Sequence, residues 1–132
     1  MIYIWLNLVP ILIATALGLM IGGAYRTLFG PHARVSGSTL LVITLGEFWL
    51  AAILAGALIL APDKASPWVM AVGSAIVIWA GFVLPSILVT ERHRALPWSA
   101  VLGDCGYWLV TMVVQAVAMK LIGLVPPPIS VP

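Results

Sequence analysis

Charge is what this sequence has least of. Only 8% of its 132 residues are Asp, Glu, Lys or Arg, while 63% are hydrophobic. So few polar side chains cannot coat a soluble globule of this size, and a mean hydropathy of +1.18 makes lipid the expected solvent. Cysteine is nearly absent: Cys105 stands alone, which excludes an intramolecular disulfide. No continuous basic stripe exists either. The net charge of +2 comes from six scattered Lys and Arg residues and reads as membrane topology, with no nucleic-acid partner. A glycine-rich phosphate loop, a nucleophile elbow and a Ser/His/Asp set are all missing, so the sequence points away from an enzyme. His32 and His93 lie in different turns beside arginines, short of a metal constellation, and no histidine inside a helix offers itself to a haem. No metal and no cofactor are expected.

What is present is a series of long apolar runs. Their lengths predict an all-α membrane protein, a bundle of four transmembrane helices over residues 3–25, 38–61, 67–90 and 98–125 in one domain. About 20 residues suffice to cross a hydrocarbon core of about 30 Å. The first run lacks the basic start and the cleavage site of a signal peptide and is expected to stay as a span. Tyr3, Trp5 and Tyr25 suit its two interfaces. Pro10 falls near its start, where a missing amide donor is cheap. Pro85 predicts a kink in the third run, with Ser86 satisfying a freed carbonyl. Residues 91–94, Glu-Arg-His-Arg, read as a charged turn, and the Pro126-Pro127-Pro128 tail leaves in extended form.

Arginine sets the expected orientation. Arg26 and Arg34 mark the first turn and Arg92 and Arg94 the third, where they would meet lipid headgroups, whereas the second turn offers only Lys64 beside Asp63. Positive residues favour the cytoplasm, so both termini are expected in the periplasm, with the chain in a bacterial inner membrane. The two halves also echo each other. Leu45-Gly46-Glu47 with Phe48-Trp49 parallels Leu102-Gly103-Asp104 with Tyr107-Trp108, suggesting two parallel helical hairpins related by an axis along the membrane normal.

Glu47 and Asp104 are the leading candidates for a site, because an ionisable group inside a span costs about 2.5–3.5 kcal/mol on insertion scales. Their depths, about 14 Å and about 9 Å along their helices, would let the two carboxyls face each other between the hairpins. One reading is a proton- or cation-handling site; the other is a pair of acids that fix helix register through hydrogen bonds or ion pairs. Asp104, Trp108, Thr111 and Gln115 share one stripe of the fourth helix and form an intramembrane polar face. Ala14, Gly18 and Gly22 on the first helix, with Gly73 and Gly81 on the third, are read as small residues for helix packing. Cys105 is read as an inert packing residue.

Three stretches resemble a bacterial membrane family catalogued as domain of unknown function 1761. They are Gly22-Gly23-Ala24-Tyr25-Arg26-Thr27-Leu28-Phe29-Gly30, Gly81-Phe82-Val83-Leu84-Pro85, and Asp104-Cys105-Gly106-Tyr107-Trp108-Leu109. The chain departs from that pattern at Ala24, where tryptophan is usual, and at Trp108, where histidine is usual. The resemblance implies four helices in a bacterial membrane and no particular activity. With lateral helix surface as its main means of recognition, the leading functional reading is an accessory or assembly subunit beside a membrane protein partner, or a self-associating protein. The alternative is a small transporter or channel for protons, cations or a small solute, using Glu47 and Asp104. A third reading is a subunit that packs against the cofactors of a photosynthetic or respiratory complex through Trp49 and Trp108.

Overall fold

The computed structural model describes residues 1–31 and 33–128; His32 lies outside them. Among the described residues every regular element is helical. Four helices are long and apolar enough to cross a membrane: span 1, Leu8–Phe29; span 2, Gly37–Leu60; span 3, Pro67–His93; and span 4, Trp98–Ile122. The protein is thus a multi-pass membrane protein.

Each boundary has a local cause. A short helix, Ile2–Leu6, precedes span 1 and is broken at Asn7. Pro10 has no N–H to return to the Leu6 carbonyl, so the helix cannot run through unbroken. The Tyr3 carbonyl accepts from both the Asn7 N–H, at 3.0 Å, and the Asn7 side chain, at 2.8 Å. It also grips the far end of the chain: Nδ2 donates to the Val125 carbonyl at 2.7 Å, and the Val125 N–H donates to Oδ1 at 2.6 Å. At the start of span 2, Ser36 Oγ accepts the Thr39 N–H at 3.2 Å. At the start of span 3, Ser66 Oγ accepts the Val69 N–H at 3.3 Å, with Pro67 at the first position. Both are serine caps that satisfy a free amide.

Three helix ends and one internal turn differ from the sequence expectation. Span 1 runs on to Phe29 and ends at Gly30, so Arg26 belongs to its last turn and not to the loop. Span 3 continues through Glu91 to His93, because no helix breaker intervenes before Pro97. Glu91 therefore sits on a helix facing its neighbours instead of in a charged turn. Span 4 stops at Ile122, where Gly123 takes a positive φ of 97° that few other residues adopt. Ahead of Pro85, where the sequence predicts a kink, the helix widens into a π turn over Trp79–Val83 in which the Leu84 N–H reaches back to the Trp79 carbonyl. Ser86 Oγ donates to the Phe82 carbonyl.

Span 4 is the centre of the bundle, packing on spans 1 and 3 and touching span 2. Span 2 leans on span 1, and spans 1 and 3 do not meet. The antiparallel pairs 1–2 and 3–4 thus form two hairpins joined mainly through spans 1 and 4. The apolar core lies toward the termini, where Ile11, Leu54, Met112 and Met119 interlock with Ala51, Ala55, Ala75 and Ala116. Small side chains let helices approach where lipid gives no hydrophobic drive to associate, and here alanines do that work. Gly73 and Gly81 do not: a Cβ at either would meet nothing within 4 Å. Toward the arginine-rich end span 2 peels away, and every residue from Ser36 to Gly46 is exposed to the bilayer.

Candidate functional site

The splay of span 2 leaves Glu47 at the point where the helices converge. Glu47 lies ten residues into its helix, about 15 Å at the usual rise, and is only 4% exposed. Span 1 makes room for it with Gly18, whose missing Cβ would collide with the Glu47 carboxyl and the Gln115 amide. Gln115 Nε2 donates to Glu47 Oε2 at 3.2 Å and to the Ala14 carbonyl at 3.1 Å. Tyr107 Oη donates to Glu47 Oε1 at 3.4 Å. Both partners are neutral, and no ion pair to Glu47 exists among the described residues. The small-residue ridge of span 1 thus serves as a floor for polar side chains: Ala14 offers its carbonyl, Gly18 seats Glu47 with Gln115, and Gly22 lies under the Tyr107 hydroxyl.

From Glu47 the polar groups continue toward the arginine-rich end. The Tyr107 ring stacks on Tyr25 with centroids 4.8 Å apart and planes 13° from parallel. Tyr25 Oη donates to Asp104 Oδ1 at 2.7 Å, over Gly103, which again leaves the place of a Cβ for the hydroxyl. Glu91 on span 3 lies near Asp104, with Arg94 nearby. Glu91 Oε2 is buried and finds no N–H or O–H donor among the described residues. Three acids from three different spans thus lie near two stacked tyrosines, Glu47 bonded to Tyr107, Asp104 to Tyr25, and Glu91 beside Asp104.

This arrangement corrects two expectations. Glu47 and Asp104 do not face each other; each ends a separate set of hydrogen bonds, and the stacked tyrosines stand between the sets. Tyr25 is not an interfacial anchor either, since its ring turns inward to Tyr107 and Asp104. Of the polar stripe on span 4, Thr111 and Gln115 are buried and Asp104 is half-buried. Thr111 Oγ1 donates to its own helix at the Tyr107 carbonyl, 2.8 Å away. Trp108 touches the Tyr107 ring at 5.0 Å, and among the described residues it makes no side-chain hydrogen bond. Trp49 is exposed on the outer face. Cys105 is buried, and its carbonyl accepts the Trp79 indole N–H at 2.8 Å, which fixes the π turn of span 3 to span 4.

Two hollows flank the tyrosine pair. A mostly apolar cleft of about 530 Å³ lies between spans 1 and 2, with Gly18, Glu47, Tyr107 and Trp108 at its inner wall and Arg26 at its mouth. A wider groove of about 890 Å³ opens on the other side, between spans 1 and 4, and reaches Asp104. Tyr25 and Arg26 line both. The Arg26 guanidinium folds over the Ala33 carbonyl of the first turn, and Arg92 lies over the Trp98 ring at 4.6 Å and donates to the Leu96 carbonyl at 2.8 Å. Arg34 and Arg94 are exposed at the same end. Among the described residues no three His, Cys, Asp or Glu side chains gather as metal ligands.

No family model matches the chain, and neither a curated protein nor a solved structure matches it.

Proposed function

We propose that the protein is a small membrane carrier that takes up and releases protons at Glu47, with Tyr107, Tyr25, Asp104 and Glu91 linking that carboxyl to the arginine-rich side. One observation carries this reading: Glu47 is almost fully buried at mid-helix depth with two neutral donors and no cation. An ion-paired acid would be a structural strut, whereas an unpaired one in an apolar medium gains by exchanging its charge for a proton. The surroundings suit that exchange. A proton turns Glu47 from an acceptor into a donor, and the buried Gln115 Oε1 beside it is an acceptor with no partner. A subunit that merely packs beside a larger partner would use its outer faces and has no use for three acids turned inward.

In this reading the arginine-rich end faces the cytoplasm, both termini lie in the periplasm, and the membrane is the bacterial inner membrane of the resembling family.

The test is proton entry into proteoliposomes driven by a potassium diffusion potential and read with a trapped pH dye. Wild type is expected to exceed empty vesicles, and Glu47→Gln to fall to their level while keeping its elution volume and helical signal. Equal flux in wild type and Glu47→Gln, or none in well-folded wild type, refutes the proposal.

A further inference from the structure

The cleft between spans 1 and 2 has a chemistry that the proton pathway does not use. Its volume of about 530 Å³ falls within the range of small-molecule sites, roughly 300–1,000 Å³. Leu19, Leu40 and Ile43 make its sides apolar, and Tyr107 and Trp108 supply aromatic surface beside the single acid, Glu47. Leu40 and Ile43 belong to the part of span 2 that has peeled from the bundle, and they are exposed. The cleft therefore opens sideways into lipid, and anything that enters must first dissolve there.

We infer that this cleft binds a lipophilic organic cation, admitted laterally between spans 1 and 2 and held with its charge against Glu47. The proposal rests on the reading of Glu47 as a carboxyl free to exchange its partner. Charge complementarity selects the occupant: a buried acid without a cation is the strongest unmet demand in the cleft, and aromatic faces favour a diffuse positive charge. An inorganic cation fits badly, because it would need several oxygen ligands and the walls offer chiefly hydrocarbon. A lipid chain would fill the hollow but has no need of the carboxyl. The charged and titratable groups around the cleft are Glu47 from span 2, Tyr25 and Arg26 from span 1, and Tyr107 from span 4. Arg26 is held back at the turn by the Ala33 carbonyl. A bound cation and a proton then compete for one carboxyl, so that binding of the cation displaces the proton.

The experiment is equilibrium dialysis of radiolabelled tetraphenylphosphonium against the full-length protein in mild detergent. Wild type is expected to bind saturably, and Glu47→Gln to lose at least ten-fold in affinity. Ile43→Trp, which fills the cleft and keeps the acid, should lose as much, so a folding defect in either variant alone leaves the test intact. Asp63→Asn, at the opposite end of the molecule, should bind as wild type does. Non-saturable uptake overturns the proposal, as does unchanged affinity in both Glu47→Gln and Ile43→Trp. So does co-purified phospholipid that wild type retains and Ile43→Trp loses while tetraphenylphosphonium fails to bind, an outcome that assigns the cleft to a lipid chain. Proton flux without tetraphenylphosphonium binding overturns this inference and leaves the proton carrier standing. Saturable, Glu47-dependent binding without flux supports the site and removes the carrier.

Discussion

Replacing Gly18 with alanine probes how Glu47 is held. An added Cβ would stand 2.7 Å from Gln115 Nε2 and 2.9 Å from Glu47 Cδ, with Oε2 nearer still. Carbon atoms do not approach so closely, so both side chains must move. Movement breaks the Gln115–Glu47 hydrogen bond of 3.2 Å and strains the 3.1 Å bond to the Ala14 carbonyl. A buried polar group left without its partner costs about 1–3 kcal/mol. Overpacking adds about 1–3 kcal/mol, and the better helix propensity of alanine returns about 1 kcal/mol. The expected net effect is a destabilisation of roughly 1–5 kcal/mol. Gly23→Ala, on the same helix but with nothing within 4 Å of the new carbon, keeps only the propensity gain, at most about 1 kcal/mol. Reversible unfolding in mixed micelles, titrated with dodecyl sulfate and followed by circular dichroism, compares the two directly. In the Gly18→Ala, Gln115→Ala double variant the penalties should be less than additive, as expected for side chains in contact. Equal midpoints for Gly18→Ala and Gly23→Ala would refute the seating of Glu47 and Gln115 on that glycine.

Asn7→Ala removes both hydrogen bonds to Val125; a loss of about 1–3 kcal/mol and faster proteolysis of the tail in detergent are expected, and an unchanged cleavage rate would argue against the clamp. Reporter fusions after Pro132 should be active in the periplasm and fusions in the first and third turns in the cytoplasm, because the arginines gather at those turns. A cytoplasmic C-terminus would reverse the orientation assigned to the acid–tyrosine chain.

The spans were legible because apolar runs long enough to cross a bilayer are separated by proline and charge, a pattern that survives any detail of packing. Their ends were less so. Glu91-Arg92-His93-Arg94 reads as a loop by charge, yet nothing in it breaks a helix, and the fold spends that turn bringing Glu91 to Asp104. Gly123 looks like one more small residue until its positive φ is seen. In the site, Glu47, Asp104, Thr111 and Gln115 stand out by burial cost or by stripe, while Tyr107 was passed over for its neighbour Trp108. A signal for it existed: Gly103, Tyr107, Thr111 and Gln115 recur every four residues on span 4, and Gly18 and Gly22 do so on span 1. Glycine and tyrosine alternate there between partner helices, a pattern hidden when each helix is read by itself. Asn7 and Val125 are 118 residues apart, and no local spacing announces their pairing.

The tyrosines that lie over glycines have a consequence for how this sequence can vary. Tyr107 over Gly22, Tyr25 over Gly103 and Tyr3 over Gly56 each put a phenol oxygen where a Cβ would otherwise be. Between apolar helices in lipid, sliding by a residue trades one methyl contact for another, and little resists it. A hydroxyl in a glycine notch resists sliding where side chains flank the notch, as Ala55 and Ala57 flank Gly56 and Leu102 and Asp104 flank Gly103. Two of the notches act as detents between spans 1 and 4, and the third sets the short N-terminal helix against span 2. The apolar residues around them can be exchanged freely for others of similar bulk, whereas each tyrosine and its glycine must change together or not at all.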